Sequence, residues 1–206
     1  MKKLLLVVLL VSSLFAGDFE KGLEAAKNGD NTTAAKLIQR AAEKGNPEAQ
    51  ITLGYIYAAN GRYKEAAKWY KLAAKQGLAE AQLEIGILYA EGKGIQQDLK
   101  EAKKWFELAA KQGNQTAQFN LGTLYYNGQG VKQDYKESIK WYRLAAKHGN
   151  VNAQFNLGIM YIEGLGIQKD KIKAYQWLLK AAKQGDTGAQ NTLDRLCKES
   201  PWACQK

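Results

Sequence analysis

Few residues in this chain have the type and setting for chemistry. His148 is the only histidine. It fills a slot taken elsewhere by Lys44, Gln76, Gln112 and Gln184, a solvent-facing helix end, so neither a general base nor a metal ligand is expected there. Asp186-Thr187-Gly188 spells an aspartic-protease triplet, but its place in the chain reads as a helix N-cap. Cys197 and Cys204 form no C-x-x-C redox motif, and no cysteine–histidine cluster has zinc spacing. The pairs Gly92/Gly94, Gly128/Gly130 and Gly164/Gly166 lack the strand and phosphate-cradling context of a nucleotide loop. These patterns give no catalytic residue, no metal site and no cofactor, and the expectation is a binding protein.

The elements that would hold a binding site come from a repeat. Ala-Gln returns at Ala49-Gln50, Ala81-Gln82, Ala117-Gln118, Ala153-Gln154 and Ala189-Gln190, with a first step of 32 residues and three of 36. Trp69, Trp105, Trp141 and Trp177 keep the 36-residue interval. A fixed period of this size means stacked supersecondary units, each too small to bury its apolar face alone. Each block reads as two helices. The first carries A-Q-x-x-L-G-x-x-Y, as in Leu121, Gly122 and Tyr125, and its stripe falls on one helical face. The second carries A-x-x-W-[YF]-x-x-A-A, as in Ala102, Trp105, Phe106, Ala109 and Ala110.

The mid-helix glycine costs about 1 kcal/mol against alanine, so its recurrence implies close backbone approach of a partner helix. Gly45, Gly77, Gly113, Gly149 and Gly185 follow lysine-rich helix ends, the place for a left-handed C-cap. Asn46 before Pro47, then Asn114, Asn150 and Asp186, read as N-caps; Leu78 breaks that pattern. Asp98 with Glu101 and Asp134 with Glu137 match capping boxes that open second helices. The first block has only Asn60-Gly61-Arg62 between its helices, which predicts a tighter hairpin.

The pattern A-Q-x-x-L-G-x-x-Y…G-x-G-[IV]-x-x-D…A-x-x-W-[YF]-x-x-A-A-x-x-G resembles the Sel1-like repeat, a relative of the tetratricopeptide repeat. Three copies are nearly complete, one is shortened, and degenerate units flank them. The resemblance implies an all-α fold, a right-handed α-solenoid of stacked antiparallel helix pairs over 17–196. Within it lie an N-terminal helical pair (17–44), repeats at 45–76, 77–112, 113–148 and 149–184, and a closing helix (185–196).

Residues 1–16 read as a secretory signal peptide: Lys2 and Lys3, an apolar run from Leu4 to Val11, and Ala16 at the exit. That predicts the periplasm or the cell exterior. Two cysteines close in sequence in an exported chain read as one disulfide, Cys197–Cys204, closing the tail (197–206). The formal charge of +10 falls to +8 once Lys2 and Lys3 leave. Lys64, Lys68, Lys71 and Lys75 align on one second helix; Lys100, Lys104 and Lys111, and Lys136, Lys140, Arg143 and Lys147, align on the next two. They predict a basic convex ridge, which is either a solvated helix face or an attraction to an anionic envelope surface. Nucleic acid is disfavoured by the export signal. In the fourth block Ile172, Gln176 and Leu179 replace lysines, and Trp202 of the tail is expected to cover them.

In the tetratricopeptide relatives the first helices line a concave groove that binds protein or peptide. Carried over by register, the groove positions include Tyr55, Leu83, Glu84, Phe119, Asn120, Thr123, Tyr126, Phe155, Asn156 and Ile159. Asparagine amides can grip an extended peptide backbone as donor and acceptor, and aromatics give contact area at low entropy cost. The aliphatic members would serve equally by packing on the neighbouring repeat. A second implication comes from exported, cysteine-rich Sel1-repeat relatives, to which penicillin binding and β-lactamase activity have been assigned. This chain lacks their repeated cysteine pairs, and it lacks the Ser-x-x-Lys, Ser-Asp-Asn and Lys-Thr-Gly motifs of an acyl-serine mechanism. Hydrolysis is therefore carried by resemblance alone.

Overall fold

The computed structural model describes residues 17–204, so the predicted signal peptide lies outside the described residues. Among these residues the chain is all-helical, and no helix is long and apolar enough to cross a membrane. It divides between Asp98 and Leu99 into two compact units. The first holds α1 (17–27), α2 (Asn31–Glu43), α3 (Pro47–Ala59), α4 (Tyr63–Lys75) and α5 (Ala79–Glu91). The second holds α6 (Leu99–Lys111), α7 (Gln115–Asn127), α8 (Tyr135–Lys147), α9 (Val151–Glu163), α10 (Lys171–Lys183) and α11 (Thr187–Glu199), then a 3₁₀ turn at Pro201–Cys204.

The helix boundaries follow the predicted punctuation. Asn46, Asn114, Asn150 and Asp186 each accept a hydrogen bond from the backbone N–H three residues on, at 2.6, 2.9, 2.9 and 2.7 Å. Leu78 opens α5 without a side-chain cap. Asp134 caps α8 by accepting from the Lys136 and Glu137 amides. Only three residues separate α3 from α4, as the shortened block implies.

Within each unit, consecutive helices pack through small residues. Ile38, Ala41, Ala42, Ala49 and Leu53 form the first unit's core, with Trp69 and Tyr57 packed against it. In the second unit Ile139, Tyr142, Ala145, Ala153, Leu157 and Met160 form one cluster, and Tyr161, Leu178, Leu193 and Leu196 belong to another. The mid-helix glycines sit where these helices approach most closely. A methyl at Gly54 or Gly122 would lie 2.3 or 2.4 Å from the ring of Tyr70 or Tyr142, and one at Gly158 would lie 2.5 Å from Leu178. Gly166 takes a positive φ of 66° and lies against the backbone of Tyr135, so the turn itself packs on the preceding second helix.

The recurring glutamine also has a cause. Gln50, Gln82, Gln118 and Gln154 are 3–4% exposed. Each donates to a carbonyl near the end of the preceding second helix: Ala42, Ala74, Ala110 and Ala146, at 3.1, 3.2, 3.2 and 3.1 Å. Those carbonyls also accept from the backbone N–H of the glycine three residues on, at 3.0, 3.1, 3.0 and 3.1 Å, so the glutamine fills the second lone pair at each helix end. The glutamine Oε1 then accepts from the next block: from Gln76 to Gln50 and from Gln184 to Gln154, both at 2.8 Å. His148 occupies that same slot, its Nδ1 3.4 Å from Gln118 Oε1.

The tail closes as expected through the Cys197–Cys204 disulfide. It does not cover α10 in the predicted way. Trp202 is 59% exposed and Ile172 49% exposed. The tail is held instead by Lys171 Nζ, which donates to the buried Ser200 Oγ at 2.6 Å. Leu179 is half-buried by packing on the cluster that includes Leu193 and Leu196.

Candidate functional site

The predicted groove residues fall on α3 and α5 in the first unit and on α7 and α9 in the second. In the first unit Tyr55 projects from α3, 44% exposed, its ring edge-on to the buried Tyr70 at 5.4 Å between centroids. The Tyr55 hydroxyl faces the carboxylate of Glu84 on α5. Burial and then the charges of Glu84 and Glu80 push the Tyr55 phenol up to about 12. Burial likewise raises Glu84; the Tyr55 hydroxyl opposes this and the Glu91 charge adds to it. Leu83 is buried on the same helix. This surface is therefore acidic and aromatic, with a half-buried carboxylate facing a phenol.

In the second unit the centre is Tyr142, on α8 and 1% exposed. Its hydroxyl lies 3.2 Å from Thr123 Oγ1, and Thr123, Asn156 and Ser138 around it act to hold the phenol down. Burial still raises this phenol. Ser138 donates to the Gly122 carbonyl at 2.8 Å, and Thr123 donates to that of Phe119 at 3.1 Å. The Phe119 ring lies 5.6 Å from that of Tyr142. Tyr126 sits edge-on to Tyr135 at 5.3 Å, and its carbonyl accepts from Gln133 at 2.8 Å. Phe155 packs on the cluster that includes Leu178 and Leu193, and Ile159 is half-buried. Of the two asparagines, Asn156 stands beside the Tyr142 hydroxyl and lowers it, whereas among the described residues the half-buried Asn120 amide has no partner.

The predicted groove residues thus divide into those beside a buried hydroxyl (Thr123, Asn156), those packed in or on a core (Leu83, Phe155), and those with open polar or aromatic surface (Tyr55, Glu84, Asn120). The sequence reading missed the Tyr142 hydroxyl at the centre of the second unit's network, although Tyr70, Phe106 and Tyr142 after the first three repeat tryptophans carried the signal.

The basic residues on the second helices are also partly engaged. Lys104 and Lys140 pair with Glu101 and Glu137. Lys71 donates to the Tyr89 hydroxyl at 3.3 Å and Arg143 to that of Tyr161 at 2.9 Å. Two hollows, of about 720 and 580 Å³, open among second-helix and turn residues of the second unit, and neither is lined by a predicted groove residue. Among the described residues no group of His, Cys, Asp and Glu has the arrangement to hold a metal ion.

The Sel1 repeat family model matches residues 79–114, 115–150 and 151–186, and the tetratricopeptide repeat model matches 19–81. Among solved structures, the chain is 37% identical to c5321, a protective antigen of uropathogenic Escherichia coli with an SLR fold, at a TM-score of 0.83. That match covers 87% of this chain and 40% of the other, so the chain spans less than half the length of that relative. It is 35% identical to a Sel1 repeat protein from Oxalobacter formigenes at a TM-score of 0.79, covering 87% of this chain and 75% of that one. The cysteine rich protein B of Helicobacter pylori shares the fold at 20% identity and a TM-score of 0.52, covering 65% of this chain and 96% of that one. Among the curated proteins none matches this chain.

Proposed function

Because the chain belongs to the Sel1 repeat family, a scaffold of the kind that mediates protein–protein interaction, we propose that it binds a protein or peptide partner along its first helices and acts as an exported adaptor. The observation that carries this reading is the Asn120 amide, half-buried on α7 and without an intramolecular partner. The amide atoms reach solvent, and an extended peptide backbone that displaces this water would satisfy both donor and acceptor. In the first unit the exposed Tyr55 ring and the raised Glu84 carboxyl favour a partner segment that brings a donor or a positive charge.

Export is supported by the basic–apolar–small order of residues 1–16 and by the disulfide at the opposite end of the sequence. The E. coli relative is a protective antigen, and an exported chain fits that role.

The test is crosslinked capture of envelope proteins by the purified chain, with Asn120→Ala and Tyr55→Ala as separate variants whose helicity is checked by circular dichroism. Loss of the same captured partner in the variants is expected. Equal capture by the variants, or turnover of a β-lactam by the purified protein, would overturn the scaffold reading.

A further inference from the structure

The second helices α4, α6 and α8 share a register that α10 rewrites. It reads Lys64, Lys68, Leu72, Lys75 on α4; Lys100, Lys104, Leu108, Lys111 on α6; and Lys136, Lys140, Leu144, Lys147 on α8. On α10 the same places hold Ile172, Gln176, Lys180 and Lys183. The exposed apolar residue has moved to the start of the helix, and two lysines occupy its second half.

Like Lys111, Lys136 and Lys147 these lysines have no carboxylate partner among the described residues, and they differ in the tryptophan ring that lies under Lys180. Glutamates hold Lys104 and Lys140, whereas among the described residues no carboxylate pairs with Lys180 or Lys183. Lys180 Nζ lies 4.3 Å from the centroid of the Trp177 ring. Lys173 Nζ pairs with Asp170 at 2.9 Å and lies 5.8 Å from the Tyr161 ring. With Gln176 and Leu179, these residues line the hollow of about 580 Å³, and no acidic side chain is among its lining. A cation resting on a ring face keeps its charge available to an anion from outside.

The tail adds the apolar part. The Lys171–Ser200 bond anchors Pro201–Cys204 at the end of α10 that carries Ile172. Trp202, two residues beyond Ser200, is 59% exposed, and Ile172 is 49% exposed. Exposed tryptophan and isoleucine at one end of α10, with lysines free of carboxylates at the other, are the composition of a surface resting at a lipid–water boundary, with rings at headgroup level and ammonium groups among phosphates. An acidic protein segment fits less well: the face offers one amide, Gln176, and compact ammonium charges rather than the planar forks suited to carboxylates.

We propose that the open face of α10, together with Trp202, docks on an anionic lipid surface, with the hollow beside Trp177 taking a phosphate headgroup. The contact is independent of partner binding on the first helices.

The test is co-sedimentation of the full chain with phosphatidylcholine vesicles made with and without phosphatidylglycerol. Binding to phosphatidylcholine alone measures what residues 1–16 contribute by insertion, and that amount is subtracted before the variants are compared. Each lysine near an anionic surface contributes roughly fivefold in partitioning, so Lys180→Gln with Lys183→Gln should lower binding to anionic vesicles by about 25-fold. Binding to phosphatidylcholine alone should not change. Lys64→Gln with Lys68→Gln removes the same charge from α4 and should leave binding unchanged, while Trp202→Ser should lower it several-fold. Equal loss from both lysine pairs, or no loss from the α10 pair, would overturn the assignment. So would loss of poly-glutamate binding in the α10 variant with vesicle binding retained, which would mark an acidic protein segment instead.

Discussion

Gly122→Ala sets two effects of opposite sign against each other. In a free helix alanine is favoured over glycine by about 1 kcal/mol. Here the new methyl would sit 2.4 Å from Tyr142 Cδ1 and 2.5 Å from Cε1, roughly 1 Å inside normal carbon–carbon contact. The ring has nowhere to go. It is 1% exposed, lies against Phe119, and has its hydroxyl set among Thr123, Asn156 and Ser138. Overpacking of this kind costs about 1–3 kcal/mol, and displacing the hydroxyl loses a further hydrogen bond's worth of about 1 kcal/mol. The net expectation is a loss of about 1–3 kcal/mol, read from urea midpoints at unchanged slope. In a Tyr142→Ala background the overlap disappears, so the same substitution should become neutral or stabilising. A variant at least as stable as the parent, or one with equal cost in both backgrounds, would refute the close-approach argument for the repeated glycine.

Other perturbations test neighbouring parts of the structure. Burial and the Glu91 charge raise Glu84 in the folded state, so the parent loses stability as pH climbs from the ordinary carboxylate range through the raised value. Glu84→Gln should therefore be the more stable form above that range, with the advantage vanishing in acid; denaturation across a pH series would show it. Gln154→Leu removes one of the two bonds to the Ala146 carbonyl, which keeps that from Gly149, and releases the exposed Gln184 amide to solvent; it should cost about 0.5–1.5 kcal/mol by thermal or urea unfolding. Cys197→Ser with Cys204→Ser opens a short loop and should cost about 2 kcal/mol, with reductant lowering the parent to the same level and leaving the variant unmoved.

Most of the fold was legible because its signals are local and repeated. The caps at Asn114, Asn150 and Asp186, the positive-φ glycines that end second helices, and the closing disulfide each depend on residues near in sequence. What stayed hidden depends on which side chain meets which across helices. The Ala-Gln recurrence identified the repeat, yet its purpose, pairing a buried amide with the end of the preceding helix, needed the distance from Gln118 to the Ala110 carbonyl. The tail was misread for the same reason. Trp202 was expected to seek the apolar patch on α10, but the polar Lys171–Ser200 bond fixes the tail's position and leaves the ring outside.

The division of labour among the groove residues turns on a single atom. Glu84, Asn120 and Asn156 share one register on successive first helices. Asn156 stands beside the hydroxyl of Tyr142, the residue after a repeat tryptophan, and helps hold that phenol down. At the equivalent position before Asn120 stands Phe106, which is 2% exposed and has no hydroxyl to offer. The freedom of the Asn120 amide thus follows from Phe where its neighbours have Tyr. Phe106→Tyr should supply the missing group beside Asn120, as Tyr142 does beside Asn156, and raise stability by about 1 kcal/mol, the typical worth of one added hydrogen bond. It should also shift and sharpen the Asn120 side-chain amide resonances and weaken any partner that uses this amide, without altering a residue on α7. Stabilisation with partner capture undiminished would show that Asn120 does not contact the partner. A destabilised variant with unmoved amide resonances would show that the site before α7 cannot seat a hydroxyl as the site before α9 does.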